Sequence, residues 1–587
     1  MPALATTTPT ATSSAAPPAL RPDQWLQAAS APLTGGLSPV SLGLAWADWA
    51  WHLVGSPGRQ GELYALAAHL TQEALQAPGT QPDGAGPADD DPRFRHEAWA
   101  AWPFSQLRTG FRCTEAYWRE ASQAPGMSEH HAHMTRFMAQ QWLAMVAPAN
   151  ALATNPVVLQ DAVQSQGMHL LQGAQHWLCD ATGLPSAEDR ALAERFEVGR
   201  NVAITPGAVV YRNHLIELIR YDPQTPTVHP EPVLMIPSWI MKYYILDLSP
   251  HNSMARYLVS QGHTVYMLSW RNPDAADRDL SMDDYLRLGV LDALRAIGSH
   301  GKTGQGVHAM GYCLGGTLLA LAGAALSRPG GISGYADLPA LKSITLLAAQ
   351  TDFSEPGELG LFIDESQVDF VHNMTQAKGY FSGKQMAGYF QFLHSRDLVW
   401  SRRMREYLMG EREPPSDLTA WNADTTRMPA RMHHEYLTSL YLRNALANGA
   451  YTVDGHAVSL VHMQMPLFVV GTQRDHISPW TSVYKLHHLC DAEITFVLTT
   501  GGHNAGIISE PGHANRSYQI ATRAAHGAWL DPAQWSAQAP HFDGSWWSAW
   551  QQWLAAHSGR KVRAQTTPPA KRLCAAPGEY VLQRYAD

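Results

Sequence analysis

Charge is scarce in this sequence: of 587 residues, 16% are Asp, Glu, Lys or Arg, against about 25% in an average soluble protein. What charge there is leans acidic, 51 acidic against 42 basic side chains for a net −9, which argues against a nucleic-acid backbone as partner. Cysteine is scarce too. Cys113, Cys179, Cys313, Cys490 and Cys574 are odd in number and scattered, with no CxxC pair. That fits neither a disulfide framework nor a structural zinc site, and it points to a reducing, cytosolic compartment. Long hydrophobic runs are missing. The longest, around Leu318 to Leu326, is rich in small residues and far short of the roughly 20 apolar residues of a membrane span. The first residues, MPALATTTPTATSSAAPPAL, have no early basic cluster and no continuous apolar core, which predicts a disordered Ala/Thr/Pro-rich tail over 1–35 instead of a secretory signal.

The length exceeds the roughly 250–300 residues at which one core stops growing, so more than one folded unit is expected. From about Pro39 to Leu184, in VSLGLAWADWAWHLVG, GELYALAAHLTQEAL and EHHAHMTRFMAQQWLAMV, apolar residues recur every three or four positions, which predicts a mainly helical N-terminal domain over 36–200. Beyond Phe196 the texture changes to short β-branched and aromatic runs separated by helical stretches: AVVYRNHLIELIRY, PVLMI, TVYMLSW, GVHAMG, SITLLAA, PLFVVG and EITFVLT. That alternation predicts a mostly parallel sheet with crossover helices over 201–587. The stretch from about 352 to 445 holds no convincing strand and is dense in Met, Phe, Tyr and Trp, which reads as a helical cap inserted between two strands. The segment from about Pro568 reads as a loosely packed tail.

The strand-like GVHAM runs into Gly311-Tyr312-Cys313-Leu314-Gly315-Gly316 and then into helix-like TLLALAGAAL. This is the order of a nucleophile elbow with cysteine at its centre. The tight turn forces the central residue into strain, so the positions two before and two after must be nearly free of side chain, and both are glycine. A helix starting next would stabilise a thiolate on Cys313. Asp475 follows PLFVVG, and His503 follows EITFVLT, so both fall just past strand ends, where catalytic groups gather in open α/β sheets. Nucleophile, then cap, acid and histidine is the chain order of an α/β-hydrolase triad. The backbone N–H of Leu314 is the expected first oxyanion donor, with a second from the loop after PVLMI, around Trp239 and Ile240.

GYCLGGT, SWRNPD (Ser269 to Asp274), RDHISPW (Arg474 to Trp480), FEVGRNVAITPGAVVYRN (Phe196 to Asn213) and YILDLSPHNS (Tyr244 to Ser253) resemble the polyhydroxyalkanoate synthases, also called poly(3-hydroxybutyrate) polymerases. The similarity runs from about residue 90 to the end, with a weaker helical match before it. It implies that Cys313 is acylated by a (R)-3-hydroxyacyl-coenzyme A, that His503 is its base and that Asp475 partners the histidine. One thioester replaces another at little net cost, and the acyl-cysteine stays activated toward the hydroxyl of the next monomer, assisted by either His503 or Asp475. Coenzyme A enters with the substrate and leaves as product, so no cofactor and no metal are expected. The resemblance also implies a homodimer contacting through the cap, attached to polyester granules in the cytoplasm.

Departures from the family pattern are local. IPSWIMKYY carries Met241 where Asn is usual, FLHSRDLVW carries His394 and Arg396 where an arginine follows FL, WNADTTRMP carries Arg427 where many members have Asn, and GGHNAGI replaces SGHIAGV. His476 beside Asp475, and an elbow reading GYCLGG, resemble the short-chain-length, single-subunit type, with substrates of four or five carbons. His476 reads as a supporting or packing residue of the Asp loop. His130, His131 and His133 in SEHHAHM, and His433 and His434 in RMHHEYL, read as helix-surface residues and not as metal ligands. Trp546, Trp547 and Trp550 read as core. The alternatives are a cysteine-dependent thioesterase or polyester depolymerase, and a granule-coating scaffold without activity.

Overall fold

The computed structural model describes residues 22–31, 34–76, 91–184, 190, 191, 194–301, 304–393, 395–412, 414, 416–566 and 569–584. Its centre is an eleven-stranded sheet. In chain order the strands are β1 Gly207–Arg212, β2 Ile216–Tyr221, β3 Val233–Ile236, β4 Val265–Trp270, β5 Val307–Tyr312, β6 Leu341–Leu347, β7 Leu467–Thr472, β8 Ile494–Thr499, β9 Ser517–Arg523, β10 His541–Asp543 and β11 Cys574–Ala575. Across the sheet they run β10-β9-β8-β7-β6-β5-β3-β4-β2-β1-β11. The six from β4 to β8 are parallel, and the margins on both sides are antiparallel. Strands covered on both faces must be apolar throughout, as VYMLSW, VHAMGY, LFVVGT and ITFVLT are, and every residue of these four is buried. Strand β9, SYQIATR, is half-exposed, so it lacks the continuous apolar run that marks its neighbours.

The small-residue run at Leu318 to Leu326 belongs to the helix after β5, Leu314–Ser327, whose backbone lies close on the sheet: a Cβ at Gly323 would sit 2.5 Å from Ile344 Cδ1. Among the described residues, no helix is long and apolar enough to cross a membrane. The helix Trp546–Ala556 plugs Trp546, Trp547 and Trp550 into the core, each fully buried. Their indole N–H groups donate to Gly506 O (3.1 Å), Ile507 O (2.9 Å) and Thr345 Oγ1 (2.9 Å). Two of these bonds therefore fasten the segment that follows His503.

The N-terminal helices are α1 Pro22–Ser30, α2 Pro39–Val54, α3 Pro57–Gln76, α4 Phe104–Ala121, α5 Glu129–Met145, α6 Pro156–Gln164 and α7 Met168–Thr182. Helix α1 lies within the stretch expected as a disordered tail over 1–35. It is ordered by the cap helix α9 Glu365–Lys378, where Asn373 exchanges hydrogen bonds with Gln24 (3.2 Å) and Gln27 (2.7 Å). Residues 1–21 of that tail lie outside the described residues. Helix α5 also leans on the insert, with Phe137 packed edge-on against Phe362 (5.3 Å) and Phe392 (5.6 Å). His131 Nδ1 meets Asp48 Oδ2 at 2.7 Å, and His130 lies 3.7 Å from Asp364 at the start of α9, carboxylates distant in sequence.

The insert between β6 and β7 is helical, as α9, α10 Gly383–Leu393 and α11 Ala430–Tyr436 with several wider turns, plus a two-residue strand pair joining Tyr380–Phe381 to Met428–Pro429. His394 lies outside the described residues. The C-terminal stretch is not a loose tail: β11 pairs with β1, and the backbone N–H groups of Glu579 and Tyr580 both donate to the buried Glu217 carboxylate at 2.9 Å.

Candidate active site

Cys313 joins β5 to the helix α8 Leu314–Ser327 with φ 53° and ψ −125°, a left-handed conformation that costs a non-glycine residue about 1–3 kcal/mol. The surroundings hold it there. Its N–H donates to Leu347 O (2.9 Å), and its carbonyl accepts from the N–H groups of Gly316 (2.9 Å) and Thr317 (3.1 Å). The flanking glycines are required sterically, since a Cβ on Gly311 would lie 2.6 Å from Gly315 O and one on Gly315 would lie 2.5 Å from Pro237 O. Gly316 is as tight, 2.5 Å from Ala349 Cβ. We expect Gly315→Ala to destabilise the protein by about 1–3 kcal/mol through overpacking and to displace the β3 loop, read as a lower denaturant midpoint with activity lost in the folded fraction.

Asp475 lies in the turn after β7. Its side chain is fully buried, Oδ1 accepts the N–H groups of Ile477 (3.0 Å) and Ser478 (2.8 Å), and Oδ2 accepts Thr472 Oγ1 (3.0 Å) and His503 Nδ1 (2.9 Å). His503 follows β8 in a turn opened by Gly501 at φ 114°, and its ring lies near enough to the Cys313 side chain for the two to interact electrostatically. The three residues singled out in the sequence therefore meet. Burial disfavours charge on His503, yet the Asp475 carboxylate and Cys313 sulfur hold its affinity for a proton well above the ordinary imidazole range. Burial likewise pushes Asp475 up, but the charge and hydrogen bond of His503 and the Ser478 and Thr472 donors bring it below the usual carboxylate range. Tyr312, its hydroxyl donating to Asn504 Oδ1 (2.6 Å), packs its ring 5.6 Å from that of His503.

Next to the elbow, reaching Leu314, lies an apolar cavity of about 110 Å³, lined by Leu314 and Ile240 from the sheet side and by Leu359, Val371, Met386, His433, Tyr436 and Tyr441 among others from the cap. Of the two loop residues expected near the oxyanion, Ile240 lines this cavity. Trp239 packs behind it against Trp270 (6.1 Å) and Tyr285 (5.4 Å). The cap pins the loop, because Thr426 Oγ1 donates to Trp239 O (2.7 Å) and Thr426 N–H to Ile240 O (3.3 Å). The side chain of His476 is 60% exposed, with Nδ1 3.9 Å from Glu358 Oε1. The Asp475 loop is instead ordered by Ile477, Ser478 and Thr472.

One sequence expectation is overturned here. His433 is not a surface residue: it is buried, stacks on Phe381 at 4.5 Å and has its pKa pushed down to about 3 by burial. His434 is half-buried and packs against His372 at 4.1 Å. Helix α11 is wedged between α9 and the cavity, so it has little free surface for either histidine. Sequence reading also passed over Tyr436 and Tyr441, whose hydroxyls are 3.0 Å apart and whose pKa values are pushed up by burial first, with the nearby Cys313 adding to it. An aromatic face opposite a cysteine has no signature in spacing along the chain. Among the described residues, no group of three or more His, Cys, Asp or Glu is placed to hold a metal ion.

The sheet order and the strand-elbow-helix at Cys313 define an α/β-hydrolase-fold protein, and residues 231–509 match the family described as alpha/beta hydrolase fold. The chain belongs, within that fold, to the poly(3-hydroxyalkanoate) polymerases. Residues 90–258 match the poly-beta-hydroxybutyrate polymerase (PhaC) N-terminus family, and residues 17–59 match the poly-beta-hydroxybutyrate polymerase N-terminal family. The poly(3-hydroxyalkanoate) polymerase of Methylorubrum extorquens is 36% identical over 529 residues, 89% of this chain and 85% of that protein. The poly(3-hydroxyalkanoate) polymerase subunit PhaC of Cupriavidus necator is 36% identical over 512 residues, 85% of this chain and 84% of the relative. That of Rhizobium etli is 36% identical over 506 residues, 84% and 77%. The protein is accordingly an enzyme of the acyltransferase type that makes polyesters.

Proposed function

We propose that the protein polymerises (R)-3-hydroxyacyl-coenzyme A, 3-hydroxybutyryl-coenzyme A above all, through an acyl thioester on Cys313. The observation that carries this reading is a cysteine at the elbow beside a histidine that is itself hydrogen-bonded to a buried aspartate. His503 takes the thiol proton, Sγ attacks the thioester carbonyl, and the N–H groups of Leu314 and Ile240 receive the oxyanion. Coenzyme A leaves as its thiol with that proton. The 3-hydroxyl of a further monomer or chain end then attacks the acyl-cysteine, forming the ester bond and returning the thiol. Asp475 has both oxygens engaged by four donors and no exposed side-chain surface, which favours His503 as the group that accepts the hydroxyl proton. The cycle needs no resident cofactor or metal.

The cavity supports a short acyl chain. At about 110 Å³ it is far below the roughly 300–1,000 Å³ of a drug-sized ligand site, so it suits a four- or five-carbon acyl group while coenzyme A stays outside. The reading is tested by quenching the enzyme with acid soon after adding (R)-3-hydroxybutyryl-coenzyme A and analysing its peptides by mass. A 3-hydroxybutyryl group on the peptide bearing Cys313 is expected; turnover with no acyl group on that peptide contradicts it. Free 3-hydroxybutyrate as sole product would favour the thioesterase reading.

The proposed setting is the cytoplasmic surface of a polyester granule, with a homodimer as the assembly. The N-terminal helices turn Trp46, Trp51, Trp142 and Trp177 outward, each more than half exposed, and a surface of such rings suits a hydrophobic polymer. Replacing Trp46 and Trp142 together by Ser is expected to reduce the granule-bound fraction several-fold while coenzyme A release by the soluble protein stays unchanged. Undiminished attachment in sedimented granules would contradict this role.

A further inference from the structure

The chain end reaches the loop that carries Ile240. Lys242, 3% exposed, extends its ammonium into the C-terminal segment and donates to Gln583 O (2.6 Å) and Tyr580 O (3.4 Å). That segment is itself anchored from the other side. Glu217, fully buried at the sheet edge, accepts the amides of Glu579 and Tyr580, and Tyr580 Oη donates to Asn213 O at 2.7 Å. Gly578 leaves no room for a side chain, since an added Cβ would overlap the Glu217 carboxylate. Two more bonds close the frame on the cap: Arg584 pairs with Asp424 at 3.2 Å, and Trp421 Nε1 donates to Lys242 O at 2.7 Å.

A lysine is costly to bury, and nothing about an apolar loop packed under a cap demands one. An apolar residue would satisfy packing; an ammonium held by two carbonyls of a distant segment fixes a position. We propose that residues 578–584 form a clamp on the Ser238–Lys242 loop, and that Lys242 is a positioning residue that sets the Ile240 N–H at the oxyanion through this clamp. The inference rests on the reading of Ile240 as oxyanion donor. It concerns residues outside the cavity: Lys242 meets neither Cys313 nor the acyl group, and it acts by holding the loop from behind while Thr426 holds it from the cap.

Because Lys242 itself stands outside the cavity and the loss falls mainly on transition-state geometry, Lys242→Met is expected to lower kcat for coenzyme A release by about 10–100-fold, the scale of an ångström-level misplacement, with a smaller rise in KM from the Ile240 side chain that lines the cavity. A second variant keeps the test independent of folding. Lys242 is held by burial and by the repulsion of Arg584, against the attraction of Asp424, at a pKa of about 8, so its grip weakens as pH rises through that value. Arg584 is largely exposed, and the buried Asp424 keeps the Tyr244 hydroxyl as a donor at 3.2 Å when Arg584 is replaced. In Arg584→Gln the loss of the repelling cation raises the Lys242 pKa, and the alkaline fall of kcat is expected at higher pH than in wild type. A purely structural clamp would lower the melting temperature without moving that limb.

Wild-type acylation of Cys313 is the control that separates the two readings. If Cys313 acylates and Lys242→Met keeps kcat within twofold, or the alkaline limb of Arg584→Gln coincides with wild type, the clamp is overturned and the polymerase reading stands. If wild type never acylates Cys313, the polymerase reading fails with it.

Discussion

Cys313→Ala is expected to stop coenzyme A release and polymer formation together, a loss of about 10⁴-fold or more. The substitution removes only the sulfur. The strained backbone at φ 53°, its bond to Leu347 O and the two bonds its carbonyl accepts are kept, so melting temperature should change little and the loss belongs to chemistry. Cys313→Ser is the sharper probe. A hydroxyl at the same position would hold the acyl group as an oxoester, a poorer donor to the next 3-hydroxyl, so slow release of coenzyme A with no chain growth is expected. Comparable polymer yield from the alanine variant would place the nucleophile elsewhere.

The second large effect is expected of Asp475→Asn, a fall in kcat of about 10³–10⁴. The amide keeps one oxygen for the Ile477 and Ser478 amides, but it offers His503 a dipole instead of a charge. The burial penalty is then offset by Cys313 alone, and the pKa of His503 should fall well below its wild-type position. Stability should follow. The raised pKa of His503 adds stability that is full below its unfolded value near 6.5 and lost as pH rises through the folded one. The depressed pKa of Asp475 adds stability that is present above its unfolded value near 3.8 and lost as pH falls through the folded one. Melting temperature against pH should therefore peak between these limits in wild type and flatten in the variant. Proton NMR of the His503 ring measures the titration directly, and a variant whose imidazole stays charged as in wild type would contradict the account.

Much of this was written in local sequence. Strands covered on both faces spell themselves as apolar runs, which is why β4 to β8 stood out, and the Gly311 to Gly316 elbow is dictated by clashes between near neighbours in the chain. Asp475 and His503 were legible because catalytic groups follow strand ends. What went unread depends on contacts distant in sequence. His433 lies in a segment that reads as amphipathic surface, and only the packing of α9 against α11 buries it. His130 and His131 gain carboxylate partners from Asp48 and Asp364, which no spacing relates to them. The final residues read as a tail because their partners, Glu217 and Lys242, are more than three hundred residues earlier. Strand β9 was missed because an antiparallel strand with one wet face carries a weak apolar pattern.

The most direct test of the central claim is to give the purified protein (R)-3-hydroxybutyryl-coenzyme A, follow coenzyme A release, and extract and size the product. Release accompanied by insoluble polyester, and abolished in Cys313→Ala, is the predicted result. Release yielding only free 3-hydroxybutyrate, or polyester formed undiminished by Cys313→Ala, would contradict it.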